Sequence, residues 1–234
     1  MHPGVEVWSC GLESAAQLAA RYLPLLSADE TERAARFRFG HLRDAYVLAR
    51  GVTRTLLARC IGADPRSLRF AYATYGKPTL EGIDGLHFNA SHSGTLLVCA
   101  VTAAGPVGVD IERLRPMPDA RNIAGRFFST AEAQRVLAAP PEAIDARFFE
   151  IWTRKEAFLK ATGEGFSRAL ASFTVSSGDA EAPRLERIAE PDDDPALWTL
   201  RAFVPAESYL GALAVRAPIG EIALRRVDPA GLAR

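Results

Sequence analysis

The chain has 234 residues, of which 48% are hydrophobic and 24% are charged. This length and composition predict a soluble protein with a sizeable core, and they exclude a disordered or fibrous chain. Lysine plus arginine and aspartate plus glutamate both number 28, so the overall charge gives the protein no attraction for nucleic acid or membranes.

The N-terminal residues lack the basic start and apolar stretch of a signal peptide. The apolar run from Leu96 to Val101 has the length of a strand and is too short to cross a bilayer. Cys10, Cys60 and Cys99 are odd in number and far apart, and the last two lie in apolar runs, which indicates reduced core thiols. We therefore expect a cytoplasmic protein.

The first half contains two helix signals followed by strand signals. Ser27-Ala28-Asp29-Glu30 matches a capping box, in which serine and glutamate satisfy free amides at a helix start. A second helical pattern runs from about Leu42 to Ile61 and ends at Gly62, the position expected of a C-terminal cap. Strand-like runs follow at Leu68–Ala73, Leu86–Ala90 and Thr95–Thr102.

The second half repeats this order. Ser129-Thr130-Ala131-Glu132 is another capping box, and a helical pattern from about Glu142 to Thr162 ends at Gly163. Strand-like runs follow at Ser172–Ser176, Trp198–Val204 and Tyr209–Val215. The stretch from Asp179 to Asp194 is rich in Asp, Glu and Pro and is expected to be an exposed loop.

The matching order of elements predicts an ancient duplication and an α+β fold, because helices and strands occur in blocks. Thr53-Arg54 and Thr153-Arg154 are a small repeated detail within the two long helices. We expect an N-terminal half over 1–104, a C-terminal half over 105–217 and a tail over 218–234, to which we assign no role.

Two acids stand at alternate positions in Gly108-Val109-Asp110-Ile111-Glu112. In a strand, Asp110 and Glu112 would share one face about 6–7 Å apart at the backbone. Two neighbouring carboxylates repel, and a magnesium ion would hold both in the ionised state. The alternative is an edge strand with two solvated acids.

A second set of residues lies on the long helix of the second half. Trp152, Glu156 and Lys160 follow one another at intervals of one turn and so share a stripe. The tryptophan indicates that this stripe is buried, and a buried acid and lysine need partners that a metal–phosphate site would supply. The alternative is a surface Glu–Lys pair.

The third set is Gly76-Lys77-Pro78 followed by Ser91 and His92 within a strand-like region. A lysine in a turn, with a hydroxyl and an imidazole nearby, can donate hydrogen bonds to phosphate oxygens. A structural role is the alternative for each. The sequence contains no Gly-x-Ser-x-Gly elbow, His-Glu-x-x-His pair or full phosphate loop.

Together, in this order and spacing, these segments resemble the surfactin-synthetase-activating type of 4'-phosphopantetheinyl transferase. Phe127-Phe128-Ser129 with Glu132, and Trp152-x-x-Lys155-Glu156-Ala157-x-x-Lys160, resemble the last motif of that family. The resemblance implies a monomer built from two halves about a pseudo-twofold axis, with coenzyme A bound between them.

The resemblance also implies roles for individual residues. Asp110, Glu112 and Glu156 resemble metal ligands, and Glu156, Lys160 and His92 resemble catalytic groups. The residues that resemble coenzyme A contacts are Arg43, Arg50, Lys77, Ser91, His92 and Lys160, with Arg33 and Arg36 as alternatives to the first two. The capping box gives Glu132 an adequate structural role.

The implied reaction moves phosphopantetheine from coenzyme A to a serine of an apo acyl or peptidyl carrier protein, with magnesium at the pyrophosphate, and leaves 3',5'-ADP. The attacking hydroxyl then belongs to the partner, which explains why the chain shows no nucleophile motif. Two rival hypotheses are a magnesium-dependent nucleotide hydrolase and a catalytically silent binding module of the same fold.

Overall fold

The computed structural model describes residues 4–178, 182–190 and 193–232 and confirms the α+β class. The strands within these ranges are β1 Val5–Gly11, β2 Phe70–Tyr72, β3 Pro78–Leu80, β4 His87–Ser93, β5 Leu96–Thr102, β6 Val107–Arg113, β7 Phe173–Val175, β8 Leu185–Ile188, β9 Thr199–Phe203, β10 Tyr209–Val215 and β11 Ile222–Val227. The α-helices are α1 Ala15–Tyr22, α2 Ala28–Ala35, α3 Gly40–Ile61, α4 Ala120–Phe127, α5 Thr130–Leu137, α6 Ile144–Thr162 and α7 Pro229–Leu232. None of the described helices is long and apolar enough to cross a membrane.

The predicted helix signals are confirmed. Both capping boxes are present, at the start of α2 and of α5. The long helices α3 and α6 end at Gly62 and Gly163, whose φ angles of 68° and 79° lie in the left-handed region that glycine adopts without strain.

The two halves share one strand arrangement. The first sheet has the order β11-β1-β5-β4 and the second has the order β6-β10-β9. In each half the first strand pairs antiparallel with the last, as Val5 does with Thr102 and Val107 with Val215. Each half also contains a short separate hairpin, β2–β3 or β7–β8. The repeat predicted from the order of elements therefore extends to the pairing of the strands.

Three clusters of buried apolar side chains hold the helices and sheets together. One packs α1 and α3 against β5, and another packs α6 against β7 and β10. The third lies between the two sheets, where Val5 and Val98 of the first half join Val109 and Leu213 of the second. The halves are thus joined by a continuous buried contact.

The structure corrects one expectation for the second half and adds a strand in the tail. The predicted loop between Asp179 and Asp194 contains β8, which pairs with β7 and buries Leu185, while 179–181 and 191–192 lie outside the described residues. The tail contains β11, which pairs parallel with β1. Sequence patterns miss both strands because pairing partners, rather than local composition, stabilise them.

A second correction concerns the cysteines. Cys10 and Cys99 are buried as expected, but Cys60 is exposed. Cys60 lies in the last turn of α3, where the helix surface turns toward solvent. The apolar residues next to Cys60 in the sequence therefore led to a wrong prediction that its thiol is buried.

Candidate active site

The close approach of α6 to β6 depends on Gly108. A Cβ atom at this position would lie 2.1 Å from the carbonyl oxygen of Ala157 and 2.3 Å from the amide nitrogen of Ala161. Any side chain would therefore push the helix away from the strand. The glycine brings one face of α6 directly against the strand that carries the two predicted acids.

Asp110 and Glu112 share one face of β6, as predicted. Asp110 Oδ1 accepts a hydrogen bond from Ser91 Oγ at 2.8 Å, and Glu112 Oε2 accepts one from Ser93 Oγ at 2.8 Å. Asp110 is buried and Glu112 is half-buried. The alternative of two solvated acids on an edge strand is therefore wrong for Asp110.

Lys160 of α6 forms its ion pair with Asp110. The two atoms Lys160 Nζ and Asp110 Oδ1 are 2.6 Å apart, and the same ammonium donates to Ser91 Oγ at 2.9 Å. This geometry overturns the alternative of a surface pair between Glu156 and Lys160. Residues from β4, β6 and α6 thus form one buried polar network.

Two carboxylate oxygens in this network are buried without a hydrogen-bond partner in the described part of the chain, namely Asp110 Oδ2 and Glu156 Oε1. Burial, followed by the charges of Asp110 and Glu112, raises the pKa of Glu156 to about 7. Burial also raises the pKa of Asp110, against the lowering effect of Lys160 and Ser91. Unpaired buried acceptors are rare and costly, so this arrangement calls for a positive or hydrogen-bonding group.

The three acids lie near one another without converging on a single point. Across the described residues, no three His, Cys, Asp or Glu side chains are already gathered as a cation site. One oxygen of Asp110 is instead bonded to Lys160. A cation that bound all three acids would have to draw their side chains together.

Ser91 and His92 occupy different faces of β4. Ser91 is buried, and its hydroxyl is engaged by Asp110 and Lys160. His92 is exposed and, because side chains alternate along a strand, lies on the opposite face. The structure therefore places Ser91 in the acid network and His92 outside it.

Lys77 follows the turn between β2 and β3 and reaches the second half. Its Nζ donates to the carbonyl oxygens of Val107 at 3.0 Å and of Ala161 at 2.6 Å. Burial lowers the pKa of Lys77 to about 8. In this structure the lysine bonds the first half to β6 and α6.

The two arginines selected as coenzyme A contacts lie on α3 and have carboxylate partners. Arg43 is exposed and pairs with Asp44 at 2.9 Å, beside a groove between α1, α2 and α3. Arg50 is half-buried and pairs with Glu30 of the first capping box. Arg43 is thus the more accessible of the two.

Sequence reasoning did not identify Asn89, Ser93 and Arg115. Asn89 Oδ1 accepts from the amide of Val109 at 3.0 Å, and Arg115 donates to Glu112 Oε2 at 2.9 Å and lies over a phenylalanine ring. Asn89, Ser91 and Ser93 alternate along β4, and this pattern could have predicted that one polar face of the strand packs against another element.

Glu132 is fully buried and has a structural role, as its capping box predicted. Its carboxylate accepts from Ser129 N at 2.9 Å, from Val175 N at 2.7 Å and from Lys155 Nζ at 2.7 Å. These bonds tie α5, α6 and β7 together. Lys155 therefore supports the helix from its core side, while Lys160 is bonded to Asp110 and Glu156 lies near the same acid.

Family models and curated relatives match the sequence of this chain. The model described as the 4'-phosphopantetheinyl transferase superfamily matches residues 106–214, and the model of the N-terminal part of 4'-phosphopantetheinyl transferase matches residues 12–104. The 4'-phosphopantetheinyl transferase HetI of Nostoc sp. is 35% identical over 214 residues, which cover 90% of this chain and 87% of HetI.

Other comparisons cover less of the chain. The 4'-phosphopantetheinyl transferase Sfp of Bacillus subtilis is 35% identical across 66% of this chain and 68% of its own length. Its counterpart psf-1 of Bacillus pumilus is 41% identical across 68% and 67%. The crystal structure of Thermotoga maritima holo-[acyl-carrier-protein] synthase covers 49% of this chain and 64% of its own, with 19% identity and a TM-score of 0.38, a likeness too weak to support an argument.

The fold consists of two similar halves with buried acids at their junction. By identity and coverage, the chain belongs to the 4'-phosphopantetheinyl transferase family. It is an enzyme of that family.

Proposed function

We propose that this enzyme transfers the 4'-phosphopantetheine arm of coenzyme A to a serine of an apo acyl or peptidyl carrier protein and releases 3',5'-ADP. The observation that carries the proposal is the buried network in which Asp110 and Glu156 retain unpaired oxygens beside Lys160. Such a network has an excess of acceptors over donors. It is suited to a substrate that arrives with a cation.

Magnesium fits this set of donors. Asp110, Glu112 and Glu156 would hold it, since hard carboxylate oxygens are its preferred ligands and two of the acids have a free buried oxygen. When bound, magnesium supplies charge neutralisation at the pyrophosphate and polarises the phosphorus under attack. In the structure described here, Lys160 neutralises part of the same negative charge.

The residues of the chain account for the transfer of the proton. In the proposed step the serine oxygen of the carrier forms a bond to phosphorus, and the bond from phosphorus to the oxygen of ADP breaks. Glu156 accepts the serine proton, because it is a buried carboxylate with an oxygen that has no hydrogen-bond partner among the described residues. The ammonium of Lys160 stabilises charge on the departing phosphate.

Coenzyme A binding is assigned to groups on the first half and at the junction. Arg43 and His92 are exposed, although Arg43 pairs with Asp44, whereas Arg50 and Lys77 are half-buried, Ser91 is buried, and all three are bonded within the protein. We place Arg43, His92 and Lys160 at the phosphates. The three engaged residues shape the surface on which coenzyme A lies. Because one chain carries both halves, we also propose that the enzyme acts as a cytoplasmic monomer.

One assay separates this proposal from its rivals. The protein is mixed with coenzyme A, magnesium and an apo-carrier protein, and the carrier is examined by mass spectrometry. A gain equal to one phosphopantetheine arm on the carrier serine supports the transferase. Release of phosphopantetheine without any carrier would indicate a nucleotide hydrolase, and no reaction with bound coenzyme A would indicate a silent binding module.

A further inference from the structure

Strands β4 and β6 lie side by side across the junction of the halves, although they belong to different sheets. Alternate side chains of β4 provide the bonds that a backbone ladder provides elsewhere. Asn89 Oδ1 accepts from Val109 N at 3.0 Å, and both groups are buried. Ser93 Oγ accepts from Arg113 N at 3.1 Å and donates to Glu112 Oε2 at 2.8 Å.

These bonds fix which residue of β6 faces which residue of β4. The two outer bonds engage the amides of Val109 and Arg113, which bracket Asp110 and Glu112 in the sequence. The backbone ladder between β6 and β10 fixes the face of β6 on which both acids lie, and the bonds from β4 hold that face against the first half. A buried amide without an acceptor costs about 1–3 kcal/mol, so loss of Asn89 would favour a shift of β6 relative to β4.

We propose that Asn89 and Ser93 are positioning residues. By fixing β6 against β4, they hold Asp110 and Glu112 opposite Glu156 and Lys160. This inference rests on the proposed function, because it concerns the acids that we assign to magnesium. It adds that the first half sets the geometry of acids that belong entirely to the second half.

The test measures cation binding rather than transfer. Mn²⁺ serves as the probe, and its binding to the full chain in the presence of coenzyme A is followed by electron paramagnetic resonance. We expect Ser93→Ala and Asn89→Ala to bind Mn²⁺ about 10- to 100-fold more weakly, as is typical when a partner of a metal ligand is lost. Ser93→Thr, which keeps the hydroxyl, should restore binding.

Thr95→Ala is the matched control, because Thr95 Oγ1 also donates to a carboxylate, that of Glu13 at 2.8 Å, at an exposed position in the same hairpin. It should bind Mn²⁺ as the parent does. Urea unfolding of each variant checks that the fold survives. Should Ser93→Ala not fold, Ser93→Cys keeps the side-chain shape with a weaker donor and replaces it.

The outcomes separate this inference from the proposed function. If the parent binds Mn²⁺ and both alanine variants bind it within twofold of the parent, the positioning role is overturned while the magnesium proposal stands. If the parent binds no Mn²⁺ with coenzyme A, the magnesium proposal fails and the inference fails with it. Weaker binding in both variants, with rescue by Ser93→Thr, supports the inference.

Discussion

Helix α3 of the first half and helix α6 of the second each bury a positively charged side chain. In both helices this residue lies the same number of residues before the glycine that ends the helix. The cation is Arg54 in α3 and Lys155 in α6, and each binds the glutamate of its own capping box, Glu30 or Glu132. The repeat predicted from Thr53-Arg54 and Thr153-Arg154 is therefore wrong by one residue, because Lys155 is the true counterpart of Arg54.

Other equivalent residues of the two helices differ in the groups that they bind. Thr55 of α3 donates to the carbonyl oxygen of Gly51 within its own helix, whereas the corresponding Glu156 of α6 retains an unpaired buried oxygen. Arg59 binds the carbonyl oxygen of Leu232 in the tail, whereas the corresponding Lys160 binds Asp110. The comparison teaches that both halves share the same support for their long helix, and that α6 rather than α3 presents an acid and a lysine to the buried network at β6.

The largest effect is expected where the shared scaffold is broken. Lys155→Met should lower the free energy of unfolding by about 3–5 kcal/mol, because it leaves the fully buried Glu132 without its charged partner. The double variant Glu132→Gln, Lys155→Met should recover much of this loss. Chemical denaturation measures both, and a single variant as stable as the parent would refute the supporting role.

Loss of an acid should affect the reaction most. Asp110→Asn keeps the side-chain volume and should slow transfer about 10²–10³-fold, or on the order of 3–4 kcal/mol, since one electrostatic contact at the reacting phosphate is lost. The single-turnover rate with coenzyme A, magnesium and apo-carrier checks this. A rate within tenfold of the parent is incompatible with the assignment of Asp110 to the cation.

Glu156→Gln should stabilise the metal-free protein at alkaline pH. The folded-state pKa of Glu156, about 7, lies above the ordinary value of 4.5. Ionisation of this buried carboxyl group therefore lowers the free energy of unfolding. The loss is absent below about pH 4.5 and is complete once the pH has risen through 7. Relative to the parent, we expect a gain on the order of 1–2 kcal/mol at pH 8 after allowance for solvent screening.

The check is urea unfolding of the parent and Glu156→Gln at pH 5 and pH 8 in the presence of a chelator. The advantage of the variant should shrink toward pH 5. An equal difference at both pH values would show that the carboxyl charge of Glu156 is not the cause.

His92 and Lys77 should respond differently to truncation, because His92 is exposed and Lys77 bonds the halves together. His92→Ala should weaken coenzyme A binding about tenfold, or roughly 1.4 kcal/mol, without changing stability. Lys77→Ala should lower the unfolding midpoint as well. Calorimetry that finds unaltered coenzyme A binding to His92→Ala would remove this residue from the phosphate site.

The smallest effect concerns docking of the proposed carrier protein, for which the family resemblance implies an acidic helix after the modified serine. The sequence predicts a basic patch of Arg121, Arg126 and Arg135 around Phe127-Phe128. Arg121 and Arg126 are exposed, and Arg126 lies 5.2 Å from the ring centroid of Phe127. Arg135 does not belong to the patch, since it is bound to Glu186 at 2.8 Å and to the carbonyl oxygen of Val175.

Arg121→Glu with Arg126→Glu should slow association with the carrier and make its salt dependence shallower, as expected of exposed steering charges. The charge-matched control is Arg66→Glu with Arg69→Glu, two exposed arginines of the first half. Transfer is measured against carrier concentration at low and high salt. Curves for the two double variants that coincide at both salts would move the docking site elsewhere.

Local signals in the sequence predicted the helix limits and the strand that carries the acids, because capping boxes, glycine caps and alternation act within a few residues. They could not predict β8 or β11, whose stability comes from β7 and β1. The sequence likewise indicated Asp110, Glu156 and Lys160, but not that Lys160 pairs with Asp110 across two elements. Contacts of this kind depend on packing, such as the approach that Gly108 allows.

The central claim is that α6, rather than the equivalent α3, provides a carboxylate to the cation site. Calorimetric titration of magnesium in the presence of coenzyme A tests it directly with Glu156→Gln and the matched variant Thr55→Val. The account predicts that Thr55→Val binds magnesium as the parent does and that Glu156→Gln shows no binding heat over the same range. Binding of equal affinity by Glu156→Gln and the parent would contradict the account.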